Sequence, residues 1–486
     1  MLLLTALPCV ASKISGTFSV STDIREAYNL VFQLRLQEAT ANVKEIQAVE
    51  PDNLMAYYVA DFIDFFIVFI DDDLAQYQAI KSDREMRMRL VSLGDVSSPY
   101  YLFVQAEMYI HRALLRLKFE ENFAAASDLN QAFRLLKRNQ RRFPDFAPNL
   151  KSIGILKAAF GTIPDHYRWA VELLSGMEGT VAEGMQDLTS SLKDKNQLAY
   201  RETQYCYMLA LMHFQNKPNA ALEYARASGL RPSGNTLDCF IFSHLALKSG
   251  NNDLALQWLV ARPRTAQAHL LPHLDLMYGI AKLQRLDPDA DIPLLRFLDT
   301  YPGKNYRKEA LQKLAWHALV NGNDSGYEQY MTLCRHAGCE LNESDKYAMA
   351  EANKAEAPHP GLLKARLLFD GGYYLKALEV IEHVSFDGLS SAGQLEYRYR
   401  SGRIYLELGR EYDALFAYKM AISSGTNSKE YYACAAALHA GQLYEQNGEF
   451  ENAALYYQIC LGMNPDSYRS GLHQKAKAGI SRLKSQ

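Results

Sequence analysis

An alanine is followed twelve residues later by a proline at four places in the chain, and this spacing constrains the fold more than any other feature. The four pairs are Ala39/Pro51, Ala220/Pro232, Ala290/Pro302 and Ala453/Pro465. Self-similarity at a fixed spacing is typical of arrays built from one small supersecondary unit. An array would let the 486 residues form one long body, where length alone suggests about three domains.

The copy around Ala453 is the most complete. It reads Ala440-Gly441-x2-Tyr444-x3-Gly448-x4-Ala453-x3-Tyr457-x7-Pro465. A second copy has Gly402, Tyr405, Gly409, Ala414, Tyr418 and Ala421, and a third has Tyr205, Ala220, Tyr224, Ala227 and Pro232. These copies resemble the tetratricopeptide repeat, a helix-turn-helix unit of about 34 residues. The resemblance implies an all-α fold, a right-handed superhelical solenoid of antiparallel helix pairs.

Physical reasons agree with this resemblance. Small residues such as Gly402 and Gly441 suit the crossing of two helices, because only a small side chain lets the backbones approach closely. Gly409 and Gly448 are placed to end the first helix of a pair. Pro465 is placed just beyond the second helix, which a proline cannot continue. Each pair leaves an apolar face to bury, so neighbouring pairs are expected to stack.

Composition supports a folded, helical chain and narrows the function. Apolar residues make up 48% and charged residues 22%, which is typical of globular proteins. Glycine and proline together are only 44 of 486 residues, which favours helices over a sandwich of short strands. The formal charge of −3 excludes a globally basic nucleic-acid binder, so nucleic acid is not the expected partner.

The repeat copies divide the chain unevenly. Residues 200–350 and 362–486 carry usable copies, and the second range ends in a predicted capping helix with the apolar stripe Leu472, Ala476, Ile480 and Leu483. Residues 351–361 are polar and hold two prolines, which predicts a linker. Residues 12–199 show helical periodicity with few clean copies, and we interpret them as a degenerate helical region of the same kind.

The amino terminus resembles an export signal. Residues 1–11 are apolar and end in small residues, which predicts export to the periplasm or cell envelope. The basic residue that normally precedes such a stretch is missing, so a cytoplasmic location is the alternative. No transmembrane segment is predicted, because the most apolar run, residues 62–70, falls well short of the ~20 residues that span a bilayer.

No pattern of catalytic or cofactor-binding residues is recognised, which predicts a protein that is not an enzyme and needs no cofactor or metal. The pair His269/His273 and the trio Cys334, His336 and Cys339 have spacings that could hold a metal, but each lacks the further ligands that zinc sites use. An enzyme would need an unrecognised site within residues 51–199, for example around Asp165, His166 and Tyr167.

Two charged runs offer other interpretations. The range Arg134–Arg142 holds five positive charges in nine residues, so an alternative function is a cytoplasmic adaptor for an acidic partner or nucleic acid. A solvated helix face is the simpler interpretation. Asp71, Asp72 and Asp73 point in different directions, so we expect helix capping rather than a cation site.

The tetratricopeptide resemblance implies a non-enzymatic scaffold or adaptor that binds a protein or peptide segment in a concave groove lined by the first helix of each repeat. The family's repeat geometry nominates nine groove residues: Leu362, Arg366, Phe369, Tyr399, Arg403, Glu407, Leu438, Gln442 and Glu445. Family members that grip chaperone tails use a set of lysine and asparagine residues at these positions. This sequence lacks that set, which disfavours a chaperone-tail receptor.

Overall fold

The computed structural model describes residues 16–163, 176–264, 269–354 and 356–483. Within these ranges the chain forms 25 α-helices and one short 3₁₀ helix, and the extended contacts there are two isolated β-bridges. The predicted all-α architecture of paired helices is therefore confirmed for the described ranges. The predicted export signal, residues 1–11, lies outside them.

The chain divides into two compact units. Unit 1 comprises Met1–Ser249, Gln257–Leu274 and Asp299–Asn305, and unit 2 comprises Gly250–Leu256, Asp275–Leu298 and Tyr306–Gln486. The predicted linker, residues 351–361, lies inside unit 2. It does interrupt the helices there, because one helix ends at Ala352 and the next begins at Pro360.

Twelve described helices lie wholly in unit 1. They are α1 (Thr22–Phe32), α2 (Leu36–Val49), α3 (Leu54–Asp71), α4 (Leu74–Ala79), α5 (Lys81–Val91), α6 (Pro99–Lys118), α7 (Asn122–Arg142), α8 (Ala147–Gly161), α9 (Val181–Ser191), α10 (Tyr200–His213), α11 (Pro218–Ala227) and α12 (Thr236–Lys248). The helices α1 to α9 agree with the helical periodicity expected within residues 12–199.

The remaining helices begin with three whose residues are shared between the units: α13 (Asn252–Val260), α14 (His273–Gln284) and α15 (Asp291–Thr300). Unit 2 continues with α16 (Arg307–Val320), α17 (Asp324–His336), α18 (Glu343–Ala352), α19 (Pro360–Asp370), α20 (Tyr374–Glu382), α21 (Ser391–Glu407), α22 (Glu411–Gly425), α23 (Tyr432–Gln446), α24 (Phe450–Gly462) and α25 (Arg469–Leu483).

Short polar side chains fix where many helices begin. Ser21, Asn53 and Ser98 each accept a hydrogen bond from a backbone N–H in the first turn of α1, α3 and α6, which satisfies donors that the helix itself leaves open. Thr180 and Glu183 form a reciprocal capping box at the start of α9. Local sequence thus sets these helix boundaries in unit 1.

Helix pairs in unit 2 pack through glycine and tyrosine. A side-chain carbon at Gly402 of α21 would lie 2.5 Å from the Tyr418 ring of α22, and one at Gly441 of α23 would lie 2.8 Å from the Tyr457 ring of α24. Both tyrosines are fully buried. The predicted role of these glycines at the helix crossing is confirmed, since the ring occupies the space that a side chain would need.

The ends of these helices also follow the repeat pattern. Gly409 and Gly448 adopt φ values of 74° and 78° directly after α21 and α23, in the left-handed region that glycine tolerates best. The last helix, α25, buries Ala476 against the core that α23 and α24 supply, and Leu472, Ile480 and Leu483 pack beside it. The predicted capping helix corresponds to α25.

Unit 1 fills the space between helices with aromatic rings and buried charges. The His111 ring stacks on Phe62 with centroids 4.4 Å apart, and its Nδ1 lies 2.9 Å from Asp61 Oδ2. Asp61 is fully buried and also pairs with Arg84. Such a pair costs desolvation energy on both ions, which their mutual attraction and hydrogen bonds must offset.

No helix in the described part of the chain combines the length and apolar character that crossing a membrane requires.

Candidate functional site

The candidate site is a row of arginines and aromatic rings on the first helices of the pairs in unit 2. The pairs are α16/α17, α19/α20, α21/α22 and α23/α24, so the first helices are α16, α19, α21 and α23. We define the arginine–aromatic row by its six residues: Trp316, Arg366, Phe369, Arg400, Arg403 and Tyr432.

Each step of the row joins two neighbouring first helices. Arg366 of α19 lies over the Trp316 ring of α16, with its guanidinium carbon 4.6 Å from the ring centroid. Arg403 of α21 lies 4.7 Å over the Phe369 ring of α19. Arg400 lies 5.9 Å from the Tyr432 ring of α23. A guanidinium within about 6 Å of a ring face is attracted by the ring quadrupole, so these contacts order the row.

Hydrogen bonds fix the two ends of the row. Glu351 of α18 accepts a hydrogen bond from Trp316 Nε1 at 2.6 Å and another from Gln312 Nε2 at 2.7 Å, which orients the indole. At the other end, Arg400 Nε donates to Glu396 Oε1 at 2.6 Å. Burial works against the charged form of Glu396, yet Arg400 holds the pKa of that carboxyl below its usual range.

Neighbouring carboxylates balance only part of the positive charge of the arginines in the row. Arg366 Nε lies 3.7 Å from Asp370 Oδ2, and 32% of the Arg366 side chain stays exposed. Arg403 Nη1 donates to the Tyr399 hydroxyl rather than to a carboxylate. Lys313 Nζ lies 3.7 Å from the centroid of the Trp316 ring, and burial lowers the pKa of its amine to about 8. Acceptor groups of a ligand could therefore meet several donors here.

Tyrosines extend this surface beyond the row. The Tyr468 ring, which follows α24, lies 4.4 Å from the Tyr347 ring of α18 and 4.6 Å from the Tyr431 ring at the start of α23, between centroids. Tyr468 has a left-handed backbone with φ of 59°. These rings bring α18 and the segment after α24 together around the same first helices.

The nine residues nominated from the sequence separate into three groups. Arg366, Phe369 and Arg403 meet in the row. Glu407 is exposed and Gln442 is half-buried, with its Oε1 3.1 Å from His439 Nδ1.

Glu445 is half-buried and serves the capping helix. It accepts hydrogen bonds at 2.8 and 2.7 Å from Arg482 of α25 and another from the Tyr457 hydroxyl. The Arg482 bonds hold the pKa of Glu445 below its usual range.

Three nominated residues are corrected by the structure. Leu362, Leu438 and Tyr399 are buried in the core with exposed fractions of 1%, 2% and 6%. Each precedes the small residue of its first helix by three positions, and residues three apart share one helix face. That face is the one packed on the second helix, so these side chains serve packing. The neighbouring positions that follow the small residue, as in Arg366 and Arg403, turn away from it.

Sequence reasoning missed Trp316, Arg400 and Tyr432. Trp316 belongs to the pair α16/α17, where the large Tyr327 occupies the usual alanine position and obscures the copy. These residues could have been found by comparing neighbouring repeat copies. Each contact joins an arginine in one copy to an aromatic residue in the copy before or after it. Pairing of this kind becomes visible only when the register of every copy is known.

The other charged runs have structural partners. Asp73 caps α4 through bonds to Ala75 N and Gln76 N, which confirms the capping expectation for one of the three aspartates. Asp72 instead accepts hydrogen bonds from the backbone N–H groups of Lys304 and Asn305, and Asp71 lies 2.7 Å from His269 Nε2.

The basic stretch lies at the end of α7 and leaves most of its charge in solvent. Arg134, Arg138, Arg141 and Arg142 are exposed, and Lys137 pairs with Glu178. The suggested catalytic residues Asp165, His166 and Tyr167 lie outside the described residues.

The described part of the structure adds no further ligands to the residues whose spacing could hold a metal. Among the described residues no group of three or more histidine, cysteine or acidic side chains is arranged to hold an ion. His269 precedes α14, which begins at His273, so the two histidines do not share a helix face. Cys334 is fully buried and directs its thiol to Lys308 O at 3.5 Å, as expected for a small core residue.

Comparison with known proteins adds little to this geometry. No family model matches the chain, and no curated protein matches it. Among solved structures, the tetratricopeptide repeat domain of P58(IPK) aligns with a TM-score of 0.22 at 12% identity, over 85% of this chain and 98% of that one. Naa15/Naa10 bound to HypK-THB aligns with a TM-score of 0.24 at 12% identity, over 95% and 65%. Scores this low carry no argument about function.

Proposed function

We propose that this protein is a non-enzymatic scaffold that binds a segment of another protein along the arginine–aromatic row of unit 2. The row is the observation that carries the proposal. Arginine and large aromatic side chains dominate the residues that contribute most to protein–protein binding, because they combine a large apolar area with directional donors. Here Arg366, Phe369 and Arg403 are partly exposed on α19 and α21. The other three members of the row, Trp316, Arg400 and Tyr432, are buried with exposed fractions of 3%, 9% and 9% and support them from below the surface.

The chemistry of the row favours an extended segment that carries acidic and aromatic or aliphatic side chains. Arg366 and Arg403 each present the edge of a guanidinium whose face rests on a ring. Such an edge can donate two parallel hydrogen bonds to one carboxylate. The partly exposed Phe369 ring supplies apolar area beside the Arg403 guanidinium, whereas the buried Trp316 ring orients Arg366. A segment crossing α19 and α21 would meet both kinds of group in succession.

A paired substitution tests this proposal. The double variant Arg366→Ala/Arg403→Ala removes two cations from the row. As a control, Arg410→Ala removes an exposed cation that lies outside the row, directly before α22, and pairs with Asp413. In cross-linked affinity capture from native cells, with circular dichroism unchanged, we expect a stoichiometric protein partner to be lost from the paired variant. The Arg410 variant should retain it. Equal recovery from both variants would reject the row as the binding surface.

A second candidate function rests on the exposed arginines of α7. Four guanidinium groups in solvent at the end of one helix suit an acidic partner or nucleic acid. Binding through them should fall steeply between low and moderate salt, because each contact releases condensed counterions. Salt-insensitive binding, or binding unchanged in an Arg138→Gln/Arg141→Gln variant, would exclude this function.

We also propose export to the periplasm or cell envelope, on the apolar character of residues 1–11. Amino-terminal sequencing of the protein from its native cells provides the test. A mature chain that begins at Ser12 in an envelope fraction would support export, whereas an intact Met1 in the cytoplasmic fraction would reject it.

A further inference from the structure

Unit 1 contains a cavity of about 230 Å³ between α3, α4, α5 and α6. Its cationic wall is formed by Lys81, Arg84, Arg112 and Arg116, and its apolar wall by Tyr77, Met88 and Met108. The acidic side chains that line it are Asp61 and Glu85. The volume is slightly below the ~300 Å³ at which small-molecule pockets begin, so only a small ligand would fit.

Arg84 is buried and paired with Asp61. Its Nε lies 2.9 Å from Asp61 Oδ1 and its Nη2 donates to Asp61 Oδ2 at 3.1 Å, while Nη1 is buried and has no acceptor among the described residues. Only 6% of the Arg84 side chain is exposed. The Asp61 carboxylate therefore balances the charge of Arg84, and an anion in the cavity depends on the other three cations.

The remaining cations are held in place by carboxylates. Asp128 accepts from Arg112 Nε at 2.8 Å, from Arg112 Nη2 at 2.6 Å and from Arg116 Nη1 at 2.6 Å. Glu121 accepts from Lys81 Nζ at 2.9 Å. Each guanidinium carries five N–H donors, and these bonds use only part of them. Because their side chains are already ordered, little conformational entropy would be lost when an anion binds.

We propose that this cavity binds a small organic anion, with its carboxylate or phosphate oxygens on the open donors of Lys81, Arg112 and Arg116 and its apolar part against Tyr77, Met88 and Met108. Asp61 balances the charge of Arg84, and Glu85 opposes the anion from the exposed side of α5. The site lies wholly within unit 1. Its test therefore does not depend on the protein-binding function proposed for unit 2.

Calorimetric titration of the full chain with phenyl phosphate, benzoate and inorganic phosphate tests this site, with benzamide as the neutral analogue. We expect phenyl phosphate or benzoate to bind and benzamide to fail, because the site requires the anionic group. Weaker binding of inorganic phosphate would show that the apolar wall contributes. Absence of binding by phenyl phosphate and benzoate at millimolar concentrations would overturn the proposal.

Variants on α5 locate the binding. Lys81→Gln should weaken binding about tenfold, the usual loss for one charge-assisted contact. Glu85→Gln should strengthen it, because an opposing charge is removed. Arg89→Gln alters an exposed cation on the same helix that does not line the cavity, and it should leave binding unchanged. Arg84→Gln is a poor test, because it also removes the cation that pairs with the buried Asp61 and would destabilise the unit. The variants at positions 81, 85 and 89 are therefore the ones compared. Equal effects of Lys81→Gln and Arg89→Gln would overturn the assignment.

Discussion

Residues 360–483 of unit 2 and residues 22–161 of unit 1 are both helical, but they join their helices with different chemistry. In the first region, small residues meet tyrosine rings at a fixed spacing, as in Gly402 against Tyr418. In the second, buried ions such as Asp61 and Arg84 bridge helices. Packing through small residues must repeat with the helix pair, so it leaves a period in the sequence. Ion pairs need only two complementary residues at any separation, so they leave none.

The largest expected effect is on the buried ions of unit 1. Lys151 donates to Glu202 at 2.6 Å and to Glu107, and 3% of its side chain is exposed. Lys151→Met would leave the buried Glu107 carboxylate without its cation, at a cost of about 3–5 kcal/mol in the free energy of unfolding. Urea denaturation measures this. The exposed Lys193→Met serves as control, and a loss no larger than in that control would contradict the role we give to these ions.

A smaller effect is expected at the helix crossings of unit 2. Gly402→Ala places a carbon 2.5 Å from the buried Tyr418 ring, which cannot move into solvent, and should cost about 1–3 kcal/mol. Gly471→Ala in α25 meets no atom within 4 Å and should be neutral or slightly stabilising. Thermal unfolding of the two variants gives the comparison. If both substitutions are tolerated equally, the repeat register in this region is wrong.

Acid sensitivity should come partly from His439 in unit 2. Burial, assisted by the nearby Arg403, lowers the pKa of His439 to about 3, against about 6.5 in an unfolded chain. The unfolded state therefore binds the proton first, and stability falls as the pH drops below 6.5 by about 1.4 kcal/mol per pH unit. His439→Gln should reduce the stability loss between pH 7 and 5.5 by about that amount. The exposed His336→Gln should retain the full loss, and identical pH profiles would contradict the assignment.

The same contrast explains how much could be predicted. The sequence predicted the ends of two helices from Gly409 and Gly448, because a left-handed backbone at a helix end favours glycine whatever lies around it. For Asp72 the local pattern predicted only a cap, whereas the structure places its carboxylate on the backbone of Asn305, more than 200 residues away. The sequence also nominated Arg366 and Arg403 as groove residues, but it could not show which aromatic rings lie beneath them.

We propose that unit 2 binds its partner through the arginine–aromatic row rather than through the second helices of the pairs. Phe369 lies in the row, and Phe416 is 61% exposed on α22, the second helix of its pair. Replacing each in turn with the photo-cross-linker p-benzoylphenylalanine in native cells tests the claim directly. If the row binds the partner, position 369 should give one discrete protein adduct and position 416 should give none. An adduct from position 416 with none from position 369 would contradict it.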